Sequence, residues 1–282
     1  MTIRDALNAG GAQLRAAGCP APHVDAELLL GHAVSLSRTA LFAQPERELT
    51  GEEEARYRSF LGRRAAREPA AYILGEWGFR RLTLAVDSRV LVPRPETEAV
   101  VGRCLELLDG VDRPLVLDVG TGAGPIAFAI ADEHPGARVV ATDISVDALA
   151  LANENRSRTG LEDRVELVLG HLVAGVRGPF DLLVSNPPYV RHEELAALEP
   201  EIRLYEPYEA VVEAGHTDAI VRRALDIVRP GGWLVLETSE LRGADVAAEL
   251  RALGYEDVAV RKDLAGRDRV VEGRIAAAAI DG

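Results

Sequence analysis

The chain has 282 residues, of which 48% are hydrophobic and 27% charged, and it carries a formal net charge of −13. No apolar run approaches the roughly 18 residues of a membrane helix, no apolar signal core follows Met1, and the negative charge disfavours nucleic-acid binding through a basic face. Since Cys19 and Cys104 stand far apart without metal or redox spacing, we expect a cytoplasmic protein with no metal site.

Residues 1–75 are predicted to form a small helical domain. Thr2 is a candidate N-cap of a first helix, and Pro22 marks the first turn of a second. Thr50 and Glu53 form a capping-box pattern at the start of a third helix. Because no polar group in this region has a catalytic spacing, we expect an accessory domain, and docking of a substrate is compatible with that role.

Residues 76–95 follow a different period. The stretch EWGFRRLTLAVDSRVLV alternates apolar and polar residues around Leu82, Leu84 and Val86, which is typical of strands. This segment is therefore predicted to be a β-hairpin that links the helical domain to the rest of the chain.

From residue 96 to residue 282, strand patterns alternate with helix patterns. The predicted strands are 115–119, 138–144, 165–169, 180–185, 233–237, 256–261 and 268–272. The predicted helices begin near Glu96, Gly124, Ser145, Thr217 and Gly243. Such alternation implies an α/β domain with a parallel sheet and helices on both faces. The last two strands are separated only by a short turn, so we expect them to form an antiparallel hairpin at the sheet edge.

A glycine-rich turn follows the first of these strands. Gly120, Gly122 and Gly124 stand between Asp118 and a predicted helix, where glycines let the backbone approach a ligand. The second strand ends in Asp143, about 20 residues later, where a carboxylate can accept hydrogen bonds from both hydroxyl groups of a ribose. The spacing is G-x-G-x-G, whereas dinucleotide sites use G-x-G-x-x-G. The pattern therefore favours S-adenosylmethionine, an adenosyl ligand without phosphates.

The fourth strand ends abruptly in Asn186, Pro187, Pro188 and Tyr189. One proline is enough to end a strand, so the asparagine and the tyrosine need another explanation. The Asn186 side-chain oxygen and the Pro187 carbonyl can accept both hydrogens of one –NH₂ group and so aim its lone pair at a methyl donor. Tyr189 can pack against a planar amide or base. The motif predicts methylation of a planar –NH₂ group, and it leaves glutamine, adenine and cytosine open as the target.

Further motifs narrow this choice. The succession AAYILGEWGF, VLVPRPETE, DVGTGAG, SNPPY, LYEP and PGGWLVLE resembles the HemK/PrmC family over nearly the full length. Members of that family are protein-(glutamine-N5) methyltransferases that modify the Gly-Gly-Gln loop of class I peptide-chain release factors. The resemblance implies a Rossmann-like class I S-adenosylmethionine-dependent methyltransferase domain at 96–282. Its seven-stranded sheet would carry an antiparallel edge hairpin, and a small helical domain would precede it.

The resemblance also implies the roles of individual residues. Asn186, Pro187 and Tyr189 are the expected catalytic residues, and together with Pro188 they would hold the substrate amide. The expected cofactor-binding residues are Arg94, Glu96, Thr97, Asp118, Gly120, Thr121, Gly122, Gly124, Asp143, Ile144, His171 and Asn186. The helical domain is expected to engage the release factor. We expect a monomer that has no metal and binds neither membrane nor nucleic acid directly.

The chain departs from the family pattern at four places. His171 stands where the family has an acidic residue that can meet the adenine, and Pro125 follows the last glycine of the turn. Tyr208 and the stretch 209–219 replace an arginine and a glycine-rich acidic segment, and LETSELRG replaces a glycine-containing turn. These positions surround the expected substrate and adenine contacts more than the core.

Three other functions are compatible with parts of the sequence. A paralogue would methylate another protein or small-molecule amide or amine. A nucleic-acid amino-methyltransferase would need a target-recognition insertion and a basic groove, and the sequence displays neither. A catalytically silent relative would bind a protein partner through its helical domain, although Asn186 and Asp143 are both intact.

Overall fold

The computed structural model describes residues 1–277, and the chain divides into two compact units. The first unit comprises Met1–Glu76 and Leu198–Glu206. The second comprises Trp77–Ala197 and the described residues from Pro207 onward. The end of the predicted methyltransferase domain, residues 278–282, lies outside the described residues.

The elements of both units are numbered in chain order. The helices are α1 (Ile3–Ala16), α2 (Pro22–Val34), α3 (Arg38–Ala43), α4 (Gly51–Ala65), α5 (Ala70–Leu74), α6 (Thr97–Leu107), α7 (Pro125–Glu133), α8 (Val146–Thr159), α9 (Pro200–Tyr205), α10 (Tyr208–Val211), α11 (His216–Ile227) and α12 (Gly243–Ala252). The strands are β1 (Glu76–Phe79), β2 (Leu82–Ala85), β3 (Leu115–Val119), β4 (Arg138–Asp143), β5 (Val165–Leu169), β6 (Phe180–Ser185), β7 (Val228–Glu237), β8 (Glu256–Lys262) and β9 (Asp268–Arg274). A 3₁₀ turn occupies His192–Ala197.

The first unit contains α1 to α5, and the caps that begin two of its helices are those the sequence predicts. The Thr2 hydroxyl accepts a hydrogen bond from the Asp5 backbone N–H at 3.2 Å, and the Asp5 carboxylate accepts one from the Thr2 N–H. Thr50 and Glu53 form the same reciprocal pair at the start of α4. Each pair satisfies two N–H groups that the first helical turn leaves without a partner. The predicted capping box at Thr50 is confirmed.

A buried ion-pair network joins α9 to the rest of the first unit. Arg64 is only 4% exposed, and its guanidinium donates to the Asp25 carboxylate at 2.8 Å and lies 2.7 Å from the Glu201 carboxylate. Arg67 contacts the same Glu201 at 2.5 Å. Because buried charges are stable only when paired, these contacts fix the segment Leu198–Glu206 within the helical unit.

The second unit is built on a seven-stranded sheet with the strand order β5-β4-β3-β6-β7-β9-β8. The strands from β5 to β7 pair in parallel, whereas β9 pairs antiparallel with both β7 and β8. The predicted Rossmann-like α/β fold with an antiparallel edge hairpin is confirmed. A separate two-stranded sheet is formed by β1 and β2, in the region where the hairpin is predicted.

Both faces of the large sheet are buried, because successive residues of a strand point to opposite sides. On β3, Val116 belongs to a core that also contains Phe128 of α7, and Leu117 belongs to a second core that contains Ile220 of α11. Near-continuous apolar strands such as β6 follow from burial on both sides. The sheet is therefore a rigid platform for the loops at its ends.

Two features of the structure differ from the prediction. Strand β7 begins at Val228 rather than at residue 233, and the Pro-Gly-Gly stretch lies inside it rather than before it. The pairing register with β6 shifts near Leu182, so the strand absorbs the irregular residues as a bulge. The 3₁₀ turn, α9 and α10 were not predicted, since helices of four to six residues are too short to display a helical period.

Candidate active site

Three neighbouring strands end at the same edge of the sheet. Val119 of β3 pairs in register with Thr142 of β4 on one side and with Ser185 of β6 on the other. The next residue of each strand therefore meets at this edge: Gly120, Asp143 and Asn186. The strand order also reverses between β3 and β6, and such a switch point is where open α/β sheets bind ligands.

The glycine turn after β3 is pinned to β4. The N–H groups of Gly120 and Thr121 both donate to the Thr142 carbonyl at 2.9 Å. The Gly122 N–H donates to the Asp143 carboxylate at 2.9 Å. Gly120 and Gly122 adopt φ angles of 74° and 56°, a left-handed conformation that favours glycine. The turn thus presents its backbone at the sheet edge in a fixed shape.

The Asp143 carboxylate is held from two sides. One oxygen accepts from Gly122 and the other accepts from the Ser145 N–H at 2.9 Å. An ionised carboxylate has about four lone-pair sites, so both oxygens can accept further hydrogen bonds from a ligand hydroxyl. The following residue, Ile144, is 62% exposed and offers an apolar surface beside the carboxylate.

A cavity of about 380 Å³ opens at this edge, and all the residues that line it belong to the second unit. Its lining includes most of the predicted site residues, namely Arg94, Thr97, Gly120, Thr121, Gly122, Asp143, Ile144, His171, Asn186, Pro187 and Pro188. A volume of this size is typical of small-molecule sites. Four predicted residues are not part of the lining: Glu96, Asp118, Gly124 and Tyr189.

Asp118 lies behind the glycine turn and supports it. Its side chain is 1% exposed, and one carboxylate oxygen accepts a hydrogen bond from the Thr121 hydroxyl at 2.7 Å. Burial raises the pKa of this carboxyl group to about 7, and the hydrogen bond from Thr121 opposes the rise. Its contact with the cavity is therefore indirect, through a threonine that does line it.

The other three residues outside the lining have local roles. The Glu96 carboxylate accepts from the Arg267 guanidinium at 2.9 Å. Gly124 is the N-cap of α7 with a φ of 87°, and Pro125 follows at the first helical position, where proline is tolerated. Burial raises the pKa of the Tyr189 hydroxyl to about 12, so this group stays protonated at neutral pH.

Asn186 is positioned by strand β6 and by α6. The preceding Ser185 hydroxyl donates to the Val119 carbonyl at 2.7 Å, which fixes the end of β6 against β3. The Asn186 side-chain NH₂ donates to the Thr97 hydroxyl at 3.3 Å. The Thr97 hydroxyl in turn donates to the Glu237 carboxylate at 2.7 Å. The asparagine, the two prolines and the glycine turn thus share one cavity.

The stretches that depart from the family pattern contribute to the same cavity. His171 and His216 both line it, and their rings lie 6.4 Å apart between centroids. Glu209 lines it as well, whereas Tyr208 is 52% exposed and its hydroxyl lies 3.0 Å from a His192 ring nitrogen. His216 and Glu209 were not predicted, because the only sequence signal was the divergent stretch 209–219 itself.

No helix within residues 1–277 is long and apolar enough to cross a membrane. Over the same residues, no group of three or more histidine, cysteine, aspartate or glutamate side chains is arranged to hold a metal ion.

Comparison with known families identifies two domains. Residues 5–75 match the PrmC N-terminal domain, and residues 104–202 match the methyltransferase small domain. Among curated proteins, the release factor glutamine methyltransferase of Deinococcus radiodurans is 44% identical over 281 residues, covering 97% of this chain and 99% of that protein. The release factor glutamine methyltransferase of Cereibacter sphaeroides is 41% identical and covers 99% of this chain and 100% of its own.

Solved structures with the same fold are more distant in sequence. The catalytic domain of hMettl16, in complex with a 3′UTR hairpin, aligns with a TM-score of 0.55 at 17% identity, covering 68% of this chain and 74% of that chain. The 16S rRNA methyltransferase RsmC of T. thermophilus aligns with a TM-score of 0.52 at 16% identity, covering 71% of this chain and 49% of its own. At such identities the likeness concerns the fold alone.

Proposed function

Since the chain belongs to the release factor glutamine methyltransferase family, we propose that it methylates the side-chain amide nitrogen of the glutamine in the Gly-Gly-Gln loop of class I release factors. The observation that carries this proposal is the placement of Asn186 and Pro187 in one cavity with the glycine turn and Asp143. A hydrogen-bond acceptor pair for an –NH₂ group then stands beside a nucleoside-binding edge. A release factor substrate would also place the reaction in the cytoplasm.

The proposed methyl donor is S-adenosylmethionine, and the cavity residues fit it. The carboxylate of Asp143 has lone pairs for the ribose hydroxyls, and the G-x-G-x-G spacing of the turn differs from the G-x-G-x-x-G pattern of a pyrophosphate-binding site. Gly120 and Gly122 permit close backbone approach, and Ile144 and His171 offer surfaces for a base. S-adenosylmethionine would supply a methyl group on a positively charged sulfur.

Methyl transfer then depends on the orientation of the glutamine amide nitrogen that receives the methyl group. The Asn186 side-chain oxygen and the Pro187 carbonyl accept the two hydrogens of the glutamine –NH₂ group, and the rigid prolines keep both acceptors in place. Held in this way, the nitrogen lone pair would face the methyl group that S-adenosylmethionine would supply on its sulfur, and the proton that the amide releases would pass to solvent. Tyr189 does not line the cavity, and because burial raises its pKa to about 12 its hydroxyl remains protonated at neutral pH and does not act as a base.

The helical unit is proposed to engage the release factor. It matches the PrmC N-terminal domain over residues 5–75, and this domain accompanies the methyltransferase domain in full-length relatives. The unit includes Leu198–Glu206, which follows the Asn-Pro-Pro-Tyr motif in sequence. A docking unit of this kind would supply binding energy away from the reacting nitrogen.

The test is direct methylation of a protein substrate. The purified protein would be incubated with S-adenosylmethionine and a class I release factor from the same organism, and the added methyl group mapped by peptide mass spectrometry. We expect one methyl group on the Gly-Gly-Gln glutamine and at least a hundredfold loss of rate in Asn186→Ala. Asn153→Ala, at an exposed position of α8, is the matched control and should retain the wild-type rate.

Two results would contradict the proposal in different ways. Donor binding by calorimetry without methylation of the release factor would refute the substrate and redirect the search to other amides and amines. No donor binding would refute the methyltransferase activity itself and favour a silent binding protein.

A further inference from the structure

A chain of hydrogen bonds connects the predicted catalytic asparagine to a buried carboxylate. Asn186 Nδ2 lies 3.3 Å from Thr97 Oγ1, and Thr97 Oγ1 lies 2.7 Å from Glu237 Oε2. Thr97 and Glu237 are each 2% exposed, and they stand on different elements, the first turn of α6 and the last residue of β7. The three residues are distant in sequence, so the fold itself assembles this chain.

The direction of these hydrogen bonds follows from the number of protons available. A carboxylate is an acceptor only, and a threonine hydroxyl has a single hydrogen. The Thr97 hydrogen therefore points to Glu237, and the Thr97 oxygen is left as an acceptor for Asn186. Only the NH₂ end of the Asn186 amide can fill that position. The amide group is thus turned so that its oxygen stands on the side opposite Thr97.

We propose that Thr97 and Glu237 are positioning residues that set the orientation of the Asn186 amide, so that its oxygen faces the substrate –NH₂ group in the cavity. This inference rests on the proposed function, because it assigns the outward oxygen the task of accepting a hydrogen from the glutamine amide. An asparagine turned the other way would present its own NH₂ group to the substrate NH₂ and could accept nothing from it.

The charge state of Glu237 controls the direction of the hydrogen bonds from Asn186 through Thr97 to Glu237. Burial raises the pKa of this carboxyl group to about 7, and the hydrogen bond from Thr97 opposes the rise. The other charged groups that act on it are Arg269, Glu96 and Arg94, and the two arginines lower its pKa whereas Glu96 raises it. When Glu237 is protonated it can itself donate to Thr97, and the hydroxyl is then free to donate to the Asn186 oxygen. The fixed orientation of the Asn186 amide therefore exists above about pH 7 and is lost below it.

A purely structural role for Thr97 and Glu237 makes different predictions. A packing contact between α6 and β7 would affect stability, and the loss of folded protein would lower all activities together. An orienting role affects the rate at saturating substrates, leaves donor affinity intact, and depends on the hydroxyl rather than on the shape of residue 97. The experiment therefore compares variants of similar shape and different hydrogen-bonding capacity.

Steady-state kinetics on the full-length protein test the proposal. Thr97→Val, which removes the hydroxyl, should lower kcat about tenfold, the effect of one lost hydrogen bond on the amide orientation, with donor Kd within about twofold of wild type. Thr97→Ser restores the hydroxyl and should recover kcat to within about threefold. Thr159→Val is the matched control, because Thr159 is a half-buried threonine of α8 that donates its hydroxyl hydrogen to the Asn155 carbonyl at 2.9 Å and does not line the cavity. It should keep the wild-type kcat.

The Glu237→Gln variant tests the direction of the hydrogen bonds that connect Glu237, Thr97 and Asn186. A glutamine can accept from Thr97 or donate to it, so it should not fix the orientation of the Asn186 amide. Wild-type kcat should rise with pH as Glu237 ionises, and in Glu237→Gln we expect this rise to disappear and kcat at pH 8.5 to fall several-fold. A wild-type kcat in Thr97→Val, or an unchanged pH profile in Glu237→Gln, would overturn the proposal.

A second measurement does not depend on turnover. The side-chain NH₂ signals of Asn186 in a ¹⁵N-labelled sample, assigned by their absence in Asn186→Asp, should shift with an apparent pKa near 7. This shift should vanish in Glu237→Gln. If the signals titrate but no release factor is methylated, the positioning role stands and the proposed function fails. If the factor is methylated and the signals ignore both pH and Thr97→Val, the positioning role fails alone.

Discussion

Gly122 and Gly124 belong to the same turn, and the structure predicts that an alanine at Gly124 lowers stability more than an alanine at Gly122. Gly124 has a φ of 87°, and a Cβ atom added there would lie 2.0 Å from Cε2 of Phe128, whose ring is completely buried. Gly122 has a φ of 56°, and an added Cβ would meet nothing within 4 Å. Both substitutions carry the cost of a left-handed alanine, about 1–2 kcal/mol. Only Gly124→Ala also overpacks the core, which costs about 1–3 kcal/mol more.

We therefore expect Gly124→Ala to lower the free energy of unfolding by about 2–5 kcal/mol and Gly122→Ala by about 1–2 kcal/mol. Urea unfolding followed by tryptophan fluorescence measures this, because both tryptophans lie in the second unit and Trp233 packs against the core that contains Phe128. Donor binding should follow the reverse order, since Gly122 lines the cavity and Gly124 does not. Equal unfolding free energies for the two variants would refute the reasoning.

Three further outcomes are expected from other parts of the molecule. Arg64→Met leaves the Asp25 carboxylate without its buried cation, whereas Glu201 keeps its pair with Arg67, and should destabilise the helical unit by about 3–5 kcal/mol, measured by urea unfolding followed by circular dichroism. Asp143→Ala removes the acceptor of two backbone N–H groups and of the proposed ribose contacts, so donor Kd from calorimetry should rise at least about tenfold. Because burial raises the pKa of Asp118 from 3.8 to about 7, its protonated form favours folding. This stability is complete below about pH 4 and is lost as the pH rises through 7, so wild type should lose about 2–3 kcal/mol between pH 5 and pH 8 that Asp118→Asn does not lose.

Much of the cavity edge could be predicted because its signals are local in sequence. Gly120 and Asn186 each follow directly after an apolar strand, and Asp143 lies at the end of another. Parallel strands align their carboxyl ends once the order of the sheet is known. The fold class follows from the same alternation of strands and helices. The alternation of strands and helices predicts a parallel sheet, and in such a sheet these three strand ends lie at the same edge.

Other parts of the site could not be predicted, because they depend on contacts between distant segments. Glu237 has the sequence pattern of an ordinary strand end, and its importance lies in a hydrogen bond to Thr97, 140 residues earlier. The grouping of Leu198–Glu206 with the helical unit likewise rests on Arg67 pairing with Glu201 across 134 residues. Thr97 and Glu237 lie in the motifs VLVPRPETE and PGGWLVLE, but nothing in the sequence indicates which residue each of them contacts. Long-range polar pairs of this kind can be recognised only after the fold has brought them together.

The two buried carboxylates behind the cavity have the same kind of hydrogen-bond partner and the same direction of pKa shift. Asp118 and Glu237 each accept a hydrogen bond of 2.7 Å from a threonine that lines the cavity, Thr121 and Thr97 respectively. Burial raises the pKa of both carboxyl groups to about 7, so each is poised between its neutral and ionised forms near physiological pH. A cation held in front of them favours the ionised forms, and by linkage the ionised forms favour the cation. The proposed donor carries its positive charge on the sulfur that bears the methyl group. Its binding would therefore lower the pKa of Glu237 and favour the carboxylate, so kcat at saturating donor should rise at a lower pH than that at which the Asn186 signals of the donor-free protein titrate.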